Sequence, residues 1–104
     1  MAANPGDFER KALELARAII AQRAGELASL GLASPASEIG REWVDESAYR
    51  SEIRLYFHDE RDLFDVIEFF IWEGGKAVAS LPEIEEWLGD YVDNVMERKR
   101  AHLG

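Results

Sequence analysis

The 104-residue chain has no cysteine. That absence excludes disulfides, thiolate nucleophiles and cysteine-ligated zinc together, and it suits a reducing compartment. Long apolar runs are also missing. The longest stretch of large apolar residues is Phe69-Phe70-Ile71-Trp72, far short of the roughly 20 residues of a membrane span. The opening MAANPGDFERK has no basic start followed by an apolar core, so no secretory signal is expected. These absences predict a soluble cytoplasmic protein without a membrane partner.

Basic residues are scarce in one region. Between residues 59 and 93 only Arg61 and Lys76 stand against eleven acids, and that segment holds the whole net charge of −9. The remainder, with ten acids and ten bases, is neutral. A field of this sign repels nucleic-acid phosphates and attracts a basic protein. Acidic residues of this kind also keep small proteins in solution.

What is present argues for one folded domain over residues 1–104. Hydrophobic residues make up 47% of the chain and aromatics 11%, enough for a core. A first helix is expected from Asp7 or Phe8 to about Leu30. Asn4, Pro5 and Asp7 supply its start and Gly31 its stop. Phe8, Ala12, Leu15, Ala16, Ile19 and Ile20 share one face at helical spacing. Arg23, Gly25 and Glu26 weaken the second half, where the helix frays or bends. GLASPAS (31–37) reads as a loop, and EIGREWVDES (38–47) as an edge strand.

SEIRLYFH (51–58) alternates Ile53, Leu55 and Phe57 with Arg54, Tyr56 and His58, the period of a strand with two unlike faces. LFDVIEFFIW (63–72) is a longer strand with apolar residues on both faces. Gly74-Gly75 turns the chain, and residues 76–79 form a short extended piece. Ser80 and Glu83 then form a capping box, with Pro82 in the first helical turn. The last helix extends to about Ala101 on the stripe Ile84, Trp87, Leu88, Tyr91, Val92, Val95 and Met96, with Trp87 and Tyr91 expected in the core. Arg98-Lys99-Arg100 close it in the sense the helix dipole favours. The fold class is α+β: a three- or four-stranded antiparallel sheet flanked by N- and C-terminal amphipathic helices, order α-β-β-β-α.

Both helices are expected on the sheet face of Ile53, Leu55, Phe57, Ile67, Phe69 and Ile71. A hairpin register with Arg54 opposite Glu68 keeps those residues together and avoids opposed like charges. The other face then carries Tyr56, Val66, Phe70 and Trp72. An aromatic outer face and a long apolar edge strand both favour a homodimer, unless the first helix or the segment 31–50, with Trp43, folds over that face.

Constellations for chemistry are sparse. His58, Asp59, Glu60 and Asp62 offer metal-ligand atoms, but their spacing fits no defined metal loop and suits a charged hairpin turn. EGGKAVAS (73–80) lacks the full phosphate-loop pattern. No cofactor and no catalytic residue is assigned. A second reading places a small-molecule or enzymatic pocket near Glu68, His58 and Tyr56. The preferred expectation is a non-catalytic module that presents Asp59, Glu60, Asp62, Glu83, Glu86, Asp90 and Asp93 to a basic protein partner. Its size and charge bear a general likeness to immunity-type inhibitors of cationic toxins or nucleases, carried by no motif. A third reading is a structural homodimer.

Overall fold

The structure, a computed structural model, describes residues 5–32, 34–46 and 48–103. Asn4, Ala33 and Ser47, assigned from sequence to a helix start, a loop and the end of a strand, lie outside these. Along the chain come α1 (Pro5–Gln22), α2 (Ala24–Ser29), β1 (Ala36–Trp43), β2 (Tyr49–His58), β3 (Leu63–Glu73), β4 (Lys76–Ala77) and α3 (Leu81–Leu103). The strands form one antiparallel sheet in the order β1-β2-β3-β4. The fold is the α+β arrangement expected, with helices at both ends. Among the described residues no helix is long and apolar enough to cross a membrane.

The first helical segment breaks where its apolar stripe weakens. Arg23 leaves helical geometry for one residue (φ −107°, ψ 9°) and α2 resumes at Ala24. The break lets Leu27 and Leu32 reach the core, where both are fully buried. At the other end of the sheet, Gly74 and Gly75 adopt φ of 64° and 78°, left-handed values that a side chain resists. They reverse β3 into β4 with Glu73 paired to Lys76.

The helices cover one sheet face. Ile53, Leu55, Phe57, Ile67 and Ile71 are buried there against Ala12, Ala16, Ile19, Ile84, Leu88, Val92 and Val95, with Phe69 half-buried beside them. The β2–β3 register places Arg54 opposite Glu68, as charge pairing predicts. Among the described residues, neither α1 nor the 31–50 segment covers the opposite face. β1 lies in the sheet beside β2, and Trp43 remains 66% exposed at its end.

The outer face is less apolar than strict alternation implies. Ser51 pairs with Trp72 and Glu52 with Phe70, so Ile71 is an extra residue on β3. This bulge rotates the strand. Trp72, expected outside, turns inward, where it is 4% exposed and its ring lies 5.7 Å from that of Phe8. Tyr56, Val66 and Phe70 do sit on the outer face, half-buried. There Arg50 lies over the Phe70 ring (4.5 Å) and pairs with Glu42 (2.9 Å). Arg54 bridges Glu38 (3.4 Å) and Glu52, and the Tyr56 hydroxyl donates to Glu38 (2.6 Å). The face is a lattice of ion pairs over three apolar side chains, the polar surface normal for a one-sided antiparallel sheet.

The bulge makes Trp72 and Phe70 energetically unlike despite their spacing. Trp72→Ala is expected to cost about 3–5 kcal/mol in urea denaturation, the range for a buried aromatic. Phe70→Ala, losing a half-exposed ring, is expected to cost under about 2 kcal/mol. Equal losses would contradict the inward placement of Trp72.

Candidate acidic cleft between the helices

α3 starts with the capping box expected from its sequence. The Glu83 amide donates to Ser80 Oγ (3.3 Å), and the Ser80 amide and hydroxyl donate to Glu83 Oε1 (3.4 and 2.9 Å). Glu83 is therefore engaged within the chain. From there α3 runs beside α1 and α2 in the same sense. Arg23 pairs with Asp93 (2.7 Å), and Arg100 pairs with Glu26 farther along.

Between these helices lies an open cleft of about 370 Å³ whose lining includes Ile19, Arg23 and Pro82 with Glu85, Glu86, Asp90 and Asp93. It continues through Pro82 and Glu85 into a groove of about 420 Å³ floored by Leu15, Ala18 and Leu81 and flanked by Lys11 and Glu14. The resulting surface is apolar at its base and mainly acidic at its rim. The side chains of Glu85 and Glu86 make no hydrogen bond or ion pair among the described residues. The hydrogen bond to Asp93, helped by the fields of Asp93 and Asp90 and opposed by desolvation, raises the Arg23 guanidinium above its ordinary value. Gly89 lies beside this pair; a Cβ there would stand 3.4 Å from the Arg23 guanidinium, an ordinary contact that alanine could make. Arg23 and Gly89 belong to the cleft although composition and charge runs did not single them out.

The acids named from sequence do not form one surface. Glu86, Asp90 and Asp93 line the cleft and Glu83 caps the helix beside it. Asp59, Glu60 and Asp62 lie in the β2–β3 turn against the other end of α3. Asp59 Oδ2 accepts from Lys99 Nζ at 3.1 Å, and Lys99 is 16 residues from Glu83, about 24 Å along the helix at 1.5 Å per residue. The turn is built around Asp59, whose Oδ1 accepts from the amides of Arg61 (2.9 Å) and Asp62 (3.1 Å). Lys99, 5% exposed, also lies 4.8 Å from the centre of the Phe64 ring. Asp62 accepts from the Leu63 amide (2.7 Å), while Glu60 is exposed. Next to Arg98, Lys99 and Arg100, this end of the molecule is far less negative than its acids imply.

The residues of the small-molecule reading are not gathered in one cavity. Tyr56 is bonded to Glu38, His58 is exposed at the end of β2, and Glu68 borders a groove between β3 and α3. Among the described residues, no three His, Asp or Glu side chains are placed to hold a metal ion. Trp87, expected in the core, packs against it, whereas Tyr91, expected there too, lies at its margin; both flank Phe69 with ring centroids 5.8 and 5.5 Å from it. Trp87 is half-buried and Tyr91 is 42% exposed.

The Asp59 turn carries a pH prediction. Two backbone amides and then Lys99 hold its carboxyl at about 2, below the ordinary 3.8. A carboxylate lowered by folding stabilises the protein above its unfolded pKa, and that contribution fades as pH falls towards the folded value. The stability difference between wild type and Asp59→Asn should be constant above about pH 5 and shrink between about pH 4 and pH 2. A difference unchanged down to pH 2 in denaturant titrations would contradict this role.

Comparison of the chain with protein-family models, with curated proteins and with solved structures yields no match in any of the three.

Proposed function

We propose that this chain is a non-catalytic binding module that takes a basic segment of a partner protein in its acidic α1–α3 cleft. The observation that carries the reading is the cleft's rim, where Glu85 and Glu86 have no partner, over an apolar floor. Nine of the twelve bases, among them Arg23, Arg41, Arg54 and Lys99, are in ion pairs within the chain. Glu85 and Glu86 remain without one, beside Asp90 and next to Leu15, Leu81 and Pro82. A segment with lysine or arginine on one side and apolar residues on the other would satisfy both components. Such recognition draws its rate and orientation from charge and its lifetime from buried apolar contact. The partner class that fits is a cationic protein, such as a basic toxin or nuclease neutralised by an immunity-type inhibitor. Nucleic acid does not suit this field.

The reading places recognition on α3 between residues 85 and 93, away from the 59–62 turn. The probe is a labelled amphipathic helical peptide with lysine on one face and leucine on the other, measured by fluorescence anisotropy. Glu85→Lys with Glu86→Lys is expected to weaken it by about tenfold or more at low salt, since exposed charges act over a Debye length near 10 Å. Glu60→Lys with Asp62→Lys makes the same change in net charge at the far end and is expected to leave affinity within about threefold. Equal weakening by both pairs would reduce the binding to the chain's net charge and overturn the cleft.

A further inference from the structure

We propose that the free edge of β3 is the docking site for a second copy of this chain, the two β3 strands pairing antiparallel about a twofold axis at Ile67. β4 hydrogen-bonds only to the far end of β3, opposite Trp72 and Glu73, with one further bond from the Val78 amide to the Ile71 carbonyl (2.9 Å). Leu63–Phe70, LFDVIEFF, therefore has no strand on that side among the described residues. Edge strands are normally blunted by charge, proline or brevity. This one is long and apolar. Of its two charges, Asp65 is turned to Arg98 on α3, leaving Glu68 beside the edge.

The space next to the edge is open. A groove of about 320 Å³ runs between Val66, Ile67 and Glu68 on one wall and Tyr91, Asn94 and Arg98 of α3 on the other. The two ends of this groove differ in chemistry. Arg98 sits beside Asp65 at one end. Phe69, Trp87 and Tyr91 form an aromatic group at the other.

That asymmetry selects both the occupant and the register. Directly opposed residues of an antiparallel pair share a face, so the axis passes through a residue of the strand. An axis at Asp65 or Glu68 sets like charges face to face, which disfavours pairing. An axis at Ile67 places Val66 opposite the partner's Glu68 and Asp65 opposite the partner's Phe69. No like charges are opposed. The same operation brings Arg98 to the partner's aromatic group, a cation–π arrangement repeated twice by symmetry. An axis at Val66 also avoids like charges but carries Arg98 away from those rings. The Val66 amide, which donates to Asp65 Oδ1 at 2.9 Å in the single chain, passes to a carbonyl of the second strand. The product is a continuous sheet through both copies with all helices on one side, an isologous interface. It lies on the opposite side of α3 from Glu85 and Glu86, so it stands or falls independently of the acidic cleft.

The test is molar mass by sedimentation equilibrium across the micromolar range, with two substitutions at one outer-face position. Wild type is expected to approach twice the chain mass of 11.8 kDa. Val66→Glu sets carboxylates against the partner's Glu68 twice per dimer and is expected to raise the dissociation constant about tenfold or more. Val66→Lys sets opposite charges there and is expected to leave it equal or lower. Circular dichroism and thermal melts of both variants establish that each retains the fold. A wild type that stays at the single-chain mass overturns the proposal, including the case in which the edge takes a foreign peptide. A dimer that responds alike to both substitutions is formed elsewhere and overturns it too.

Discussion

The pairing of β2 with β3 is the constraint on which the rest of the molecule depends. The observed register gathers Ile53, Leu55, Phe57 and Ile67 under the helices and sets Arg54 opposite Glu68. A one-residue slip would send every one of these side chains to solvent. The extra residue at Ile71 then twists the end of β3 so that Ile71 and Trp72 are both buried. Trp72 in turn anchors Phe8 and the start of α1, while the Gly74-Gly75 turn delivers the chain to α3. Both helices thus owe their position to one strand pair and its bulge. The same geometry leaves the outer face to ion pairs and leaves Leu63–Phe70 as an edge.

Charge is distributed by a second logic. The bases are drawn into pairs that join elements: Arg41 to Glu9, Arg23 to Asp93, Lys99 to Asp59 and Arg100 to Glu26. Glu9 is almost fully buried and bonds to the Arg41 guanidinium at 2.5 Å, so α1 is tied to the edge strand β1 by a carboxylate that removal of Arg41 would leave unpaired. With the bases engaged in holding the layers together, surplus acid is left on α3 at Glu85, Glu86 and Asp90, beside an Arg23 already paired with Asp93. This is why a chain of net charge −9 shows one acidic cleft and not a uniformly acidic surface.

Much of this was legible in the sequence, for identifiable reasons. Period-two alternation in 51–58, the Ser80–Glu83 box and the Gly-Gly turn are local signals, and local signals survive folding. So did the Arg54–Glu68 pair, because cross-strand charge restricts the register. The bulge was not legible. Ile71 is as good a strand residue as its neighbours, and only pairing with Ser51 reveals it as extra. Strict alternation therefore puts Trp72 on the outer face, although it is buried on the inner one. The acids of the 59–62 turn were joined to those of α3 because they are close in sequence and alike in charge, whereas Lys99 draws Asp59 to the basic end of the helix. Tyr91 fits the apolar stripe of α3 by spacing, yet the stripe is wider than the sheet beneath it, so its flank overhangs the β3 edge. Gly89 and Arg23 are single residues whose meeting depends on how two helices lie together.

The central claim is that recognition belongs to a place and not to net charge. Backbone amide shift mapping during titration with the lysine–leucine amphipathic peptide tests it most directly. The account predicts that the perturbed amides cluster at residues 14–23 and 81–93, with the 59–62 turn and the outer sheet face unaffected, and that added salt weakens the interaction without moving the cluster. Perturbations spread over all acidic segments, or centred on the 59–62 turn, would contradict it.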